Sequence, residues 1–148
     1  MRNSKPMPTT LPRQQATPSP TILIIDDNPK DMEYWSTVLR ESPSHYTILN
    51  AQTVRAGLDC CQQQKINCVV LDLDMGDSSG FEVLLALHPN RKPSEIAVVV
   101  LTRLPHPALH ETVLYHGAQA VLVKQVTSLL ELDAAIQKAI VSVRHFTH

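Results

Sequence analysis

Five short β-branched runs recur along the chain, and the segments between them narrow the fold more than any other feature. The runs are TILII (21–25), YTIL (46–49), CVVLD (68–72), IAVVVL (96–101) and AVLV (120–123). Four are almost continuously apolar, the pattern of strands covered on both faces in a parallel sheet. YTIL is weaker and is expected at an edge. The intervening segments carry helical spacing. Residues 29–41 place Met32, Trp35 and Leu39 on one stripe, with Pro29 suited to a first helical turn. Residues 53–64, 80–88 and 107–116 repeat the pattern, and Gly117 is placed as a C-terminal stop. The last helix carries Leu129, Leu132, Ile136, Ile140 and Val143 at three- to four-residue steps. Five such alternations give an open α/β sheet with right-handed crossovers, a three-layer sandwich.

At 148 residues there is room for one domain. Residues 1–20 contain five prolines, three basic residues and no acidic ones, so they are expected to form a disordered, weakly basic tail ahead of a domain spanning 21–145. A net charge of −1 gives no electrostatic case for nucleic acid or an anionic membrane. No apolar run reaches the roughly 18 residues of a transmembrane helix. Arg2 and Lys5 are not followed by the apolar core of a signal peptide. Cys60, Cys61 and Cys68 are odd in number and lack a C-x-x-C, which favours reduced thiols and a cytoplasmic location.

In an open α/β sheet, ligands bind beyond the carboxyl ends of the strands. The first run ends in Asp26 and Asp27, the third in Asp72, the fourth in Thr102 and the fifth in Lys124, while Asn50 ends the edge run off to the side. Three carboxylates, a hydroxyl and an amine therefore converge on one rim. Each has an ordinary explanation alone: Asp-Asp-Asn-Pro is good turn and capping chemistry, a strand-end Thr is a β-former, and a strand-end Lys can snorkel. Together they are harder to dismiss. Adjacent carboxylates repel unless a cation intervenes, and oxygen-only ligands favour Mg²⁺. With metal bound, Asp72 becomes a nucleophile toward a phosphoryl group, whose oxygens Lys124 and Thr102 could bind.

This set resembles the receiver domain of two-component response regulators. Gly80 follows Asp72 by eight residues, Thr102 by thirty, and Lys124 comes twenty-two later; GAQAVLVK resembles the ending of these domains. The resemblance covers residues 21 to 145. It implies a flavodoxin-like (βα)5 sandwich of strand order 2-1-3-4-5 and a cytoplasmic, bacterial phosphorelay protein. Asp72 would take a phosphoryl group from a sensor histidine kinase or a histidine phosphotransfer protein. Asp27, Asp72 and the backbone carbonyl of Asp74 would bind Mg²⁺ (or Mn²⁺), with Asp26 acting through metal-bound water. Lys124 would pair with Asp72 and later with the phosphate. Thr102 would swing toward the phosphate and shift the face made by the fourth helix, fifth strand and fifth helix toward a protein target. No catalytic turnover beyond self-phosphorylation and dephosphorylation is implied, and no direct contact with nucleic acid or membrane. As the chain stops at Phe146, Thr147 and His148, a single-domain regulator acting by protein contact is expected.

Several residues depart from the family pattern. Gly76 replaces a usual proline and is expected to loosen its loop. Arg103 replaces a small residue after the switch Thr, where it would cover the phosphoryl site and slow exchange, or contact the phosphate. Val121 stands at an aromatic switch position. Gln125 replaces a proline, so no cis bond, costing about 3 kcal/mol, is assumed. The Asp74 side chain is expected to influence hydrolysis, whereas Asp77 reads as turn chemistry.

Two other readings compete. Asp72-Leu73-Asp74 could open a haloacid-dehalogenase-like phosphatase, but that family has its nucleophile after the first strand, whereas Asp26-Asp27 come first here. A pseudo-receiver that binds a partner without phosphorylation finds support only in Arg103 and Gly76. His106 and His110 have i, i+4 spacing, but Pro105 and Pro107 argue against a zinc-binding helical face. Trp35 reads as core.

Overall fold

The apolar runs form the strands, and alternate residues feed opposite cores. The computed structural model describes residues 18–76, 78–88 and 95–146. The main strands are β1 (Thr21–Ile25), β2 (Thr47–Ala51), β3 (Cys68–Leu71), β6 (Ala97–Thr102) and β7 (Ala120–Val123), all parallel, in the order β2-β1-β3-β6-β7. Two further strands, β4 (Asp74–Met75) and β5 (Ser78–Ser79), form a separate antiparallel ribbon. Counting only the main sheet, the order is the expected 2-1-3-4-5. β3 and β6 are buried throughout and β1 nearly so. β7 is half-buried because it forms the second edge, although its sequence is as apolar as theirs.

Helices α1 (Pro29–Arg40) and α5 (Leu129–Phe146) cover one face; α2 (Val54–Gln63), α3 (Phe81–Leu87) and α4 (Pro107–Tyr115) cover the other. Ile22, Ile24, Val70 and Val99 pack against Trp35, Leu39 and Ile136, whereas Leu23, Ile25, Leu71 and Val100 pack against Val83, Leu84 and Val113. This is the period-2 alternation of a sheet buried on both faces. Trp35 is core, as its spacing indicates.

Helix ends follow from local chemistry. Asn28 caps α1 by accepting from the amides of Lys30 and Asp31, and Pro29 occupies the first turn. Ser128 and Glu131 form a capping box at the start of α5. Gly117, at φ +115°, stops α4. Asn50 lies within β2, which runs one residue beyond it, and accepts from the Ser36 hydroxyl at 2.9 Å. The loop after α1 is tied to α5 by Asp133, which accepts from the hydroxyls of Ser42, Ser44 and Tyr46. Gln137 in turn donates to the Tyr46 oxygen at 2.8 Å.

Candidate functional site

The rim is built by extending the parallel ladders one residue past the strands. The Asp26 amide donates to the Ala51 carbonyl at 3.1 Å, and the Asp72 amide to the Ile25 carbonyl at 3.0 Å. The acidic residues of neighbouring strands are thereby set side by side. Asp26, Asp27 and Asp72 can each offer a carboxylate oxygen so that all three lie within 4.8 Å of one another. Asp26 and Asp72 are 2% and 7% exposed, whereas Asp27 is open to solvent. A cleft of about 270 Å³ beside them is lined by Asp27, Asp31, Asp72, Asp74, Arg103 and Lys124, together with Asn28 and Gly76. Larger hollows of about 600 and 530 Å³ lie elsewhere and are lined without a carboxylate, so size does not locate the chemistry.

Lys124, 8% exposed, enters from the end of β7. Its Nζ donates to Asp26 Oδ2 at 2.6 Å, Asp31 Oδ2 at 2.9 Å and Asp72 Oδ2 at 3.3 Å. The expected pairing with Asp72 is present, but it is the longest of the three, because the ammonium is shared among competing anions. Burial opposes the lysine charge, yet the carboxylates outweigh it and raise the Lys124 pKa. Asp72 responds the other way. Burial and the neighbouring Asp26 overcome the lowering by Lys124 and the Asp74 amide, and push its carboxyl up to about 6. The divergence follows from numbers: one cation satisfies several anions poorly, whereas several anions satisfy one cation well.

Asp31 escaped the sequence reading. It sits in the first turn of α1, where an acidic residue already has a reason to be, so its type gave no separate signal. The available clue was its position one helical turn beyond Asp27, at the helix end facing the rim. Arg103 grips it with two bonds, Nη2 to Oδ1 at 2.8 Å and Nε to Oδ2 at 3.2 Å. Burial raises the Asp31 pKa, but its bonds to Lys124 and Arg103 outweigh this and lower it. The bond to Asp31 is also the main cause holding the Arg103 pKa up.

Thr102 is fully buried at the end of β6, in register with Val123, and its hydroxyl accepts from the Leu104 amide at 3.2 Å. Val121 is half-buried against the core containing Val100 and Val113, as are Leu109 and Ile96. The Asp74 amide donates to Asp72 Oδ1 at 3.2 Å, while its side chain is exposed. Gly76 does not simply loosen its segment. At φ +64° it follows β4 in the turn toward β5, and a Cβ there would lie 3.1 Å from Asp27 Oδ2. Asp77 lies outside the described residues. Gly80 has a steric reason to be glycine: a Cβ would stand 2.0 Å from the Asp72 carbonyl oxygen. His110 does not share a metal face with His106; its Nε2 meets the Leu104 carbonyl at 2.8 Å, while His106 precedes the first turn of α4.

The donor set fits a hard divalent cation. It is oxygen-only, the ligand chemistry that Mg²⁺ takes, and it gathers three carboxylate oxygens within 4.8 Å of one another. Mn²⁺ would accept the same ligands.

A family model described as the response regulator receiver domain matches residues 22–137. A probable cyclic di-GMP phosphodiesterase of Vibrio cholerae is 33% identical over 87 residues, 59% of this chain but 19% of that protein. The two-component response regulator ORR3 of indica rice is 26% identical over 110 residues, 74% of this chain and 82% of the relative. Among solved structures, the signal receiver domain of a Vibrio parahaemolyticus putative Luxo repressor protein superposes with a TM-score of 0.74 at 21% identity, over 84% of this chain and 92% of that one. The chain thus spans a fifth of one relative and most of the other.

Proposed function

Because the chain belongs to the response regulator receiver domain family, we propose that it is a phosphorylation-operated switch with Asp72 as acceptor. The observation that carries this reading is the grouping of three carboxylate oxygens within 4.8 Å, one belonging to Asp72, beside the buried ammonium of Lys124. An Asp72 oxygen attacks the phosphorus of a phosphohistidine on a sensor histidine kinase or histidine phosphotransfer protein. The P–N bond breaks, and the imidazole leaves with the bond's electron pair and takes up a proton. Asp26, Asp27, Asp72 and the Asp74 carbonyl are the groups that would hold Mg²⁺, which supplies positive charge against the transferred oxygens. Lys124 holds a phosphoryl oxygen, and the Thr102 hydroxyl exchanges the Leu104 amide for another. That exchange pulls on the segment leading into α4.

The signal then leaves through α4, β7 and α5, a face that carries exposed Leu114 and Tyr115 on α4, Leu130 on α5 and Val126 in the turn between β7 and α5. A protein target fits such a surface better than nucleic acid. Among the described residues no helix is long and apolar enough to cross a membrane, and we place the switch in the cytoplasm. Its only turnover is of its own phosphoryl group.

Intact mass after acetyl phosphate and Mg²⁺ tests this reading. A phosphate-sized gain is expected in the native chain and none in Asp72→Asn. A gain that persists in Asp72→Asn overturns the acceptor assignment. No gain in either, with a partner still bound, favours a binding module that works without phosphorylation.

A further inference from the structure

We propose that Asp31 is a positioning residue that holds both cations of the cleft, Lys124 and Arg103, in the resting protein and thereby slows phosphoryl entry to Asp72. This rests on the reading of Asp72 as acceptor, and it concerns a residue with no part in that chemistry as described above. Asp31 Oδ2 accepts from Lys124 Nζ at 2.9 Å, closer than the 3.3 Å between that nitrogen and Asp72 Oδ2. The lysine that must meet the incoming phosphate is therefore held more tightly by a bystander than by the acceptor. The same carboxylate takes both Arg103 bonds.

These contacts join two elements across the cleft. Asp31 belongs to the first turn of α1, and Arg103 directly follows Thr102. The Arg103 carbonyl accepts from Gln125 Nε2 at 3.3 Å, which ties the same segment to the turn after Lys124. Movement of Thr102 toward a phosphate must carry Arg103 with it, so the Asp31–Arg103 bonds have to break or stretch. Lys124 already spends its three N–H donors on Asp26, Asp31 and Asp72, so its bond to Asp31 competes with an incoming phosphoryl oxygen. Both demands fall on one side chain.

The Arg103 side chain is 55% exposed and Asp31 14%, so the effect should be that of a partly solvated ion pair, about two- to fivefold in rate. Asp31→Asn should speed phosphorylation by acetyl phosphate by that factor and leave the lifetime of phosphorylated Asp72 near native. Arg103→Ala should act in the same direction, the double variant should gain less than the product of the two, and Asp31→Glu should restore part of the native behaviour. A second readout is exchange of the Arg103 Nε proton with water by NMR in the metal-free protein, expected to be slow in the native chain and fast in Asp31→Asn. A purely helix-stabilising role for Asp31 would lower the melting temperature and leave the phosphorylation rate and the Arg103 proton unchanged. That result overturns the proposal, as do multiplicative rate effects. If no variant takes up phosphate, the acceptor reading fails instead, a failure recognisable because the proton-exchange difference would persist.

Discussion

Asp72 lies beside another carboxylate and takes a third share in Lys124, whereas Asp133 is surrounded by the neutral hydroxyls of Ser42, Ser44 and Tyr46. Both are partly or wholly withdrawn from water and both accept hydrogen bonds, so neither burial nor partner count separates them. The charge on the partners does. The donors around Asp133 need an anion and gain nothing from another ligand, which makes that site structural. The groups around Asp72 leave it short of positive charge, and a metal ion supplies what is missing. A carboxylate kept unsatisfied among its own kind is the one prepared to react.

Three substitutions test this contrast. Asp133→Ala should have the largest effect, because it strands three hydroxyl donors, and about 2–3 kcal/mol of stability should be lost in urea unfolding. Phosphoryl uptake by Asp72 should stay within error of native; a parallel loss would show the two carboxylates to be coupled and break the comparison.

Asp72→Asn should have the opposite sign in metal-free buffer. The folded carboxyl titrates near 6 against an ordinary 3.8. Between these values the folded chain binds the extra proton, so stability falls as pH rises through that window and stays low above it. Removing the charge should therefore stabilise the protein at pH 7 by on the order of 2 kcal/mol. The gain should vanish below about pH 4, where both states are protonated. Thermal melts of the two proteins at pH 3.5 and 7, with chelator present, check it, and a destabilised Asp72→Asn at pH 7 would contradict the contrast.

Tyr46→Phe should have the smallest effect, about 1 kcal/mol, since Asp133 keeps its two serine donors. The Tyr46 phenol, pushed up to about 12 by burial and by its bond to Asp133, should also ionise late in an absorbance titration. An ordinary midpoint would mean that the hydroxyl ring around Asp133 is open in solution.

The contrast also explains what could be read in the chain. The strands were legible because TILII, CVVLD and IAVVVL have no polar residue in their interiors, and the rim was legible because Asp26, Asp72, Thr102 and Lys124 end or follow the apolar runs. AVLV disclosed its burial badly, since apolar character does not distinguish an edge strand from a central one. The ribbon of β4 and β5 was invisible, because two-residue strands are too short to show a period. Asp31 and its grip on Arg103 were missed for a different reason. The two residues are 72 positions apart; Asp31 has an adequate local explanation as a helix-start acid, and Arg103 is read against the phosphoryl site rather than against a side chain of α1. Asp133 was equally silent, since its donors Ser42, Ser44 and Tyr46 lie about 90 residues before it and no local pattern links them to it.

Gly80 bears on how such a chain can change over generations. The carbonyl of Asp72 occupies the space that any side chain at position 80 would need. Every other amino acid there would displace the acceptor's own backbone, whatever its charge or size. The two positions are thus a single heritable unit. A lineage that still depends on the acceptor has only one letter available at position 80, and variation there becomes tolerable only once the acceptor loop has taken another course.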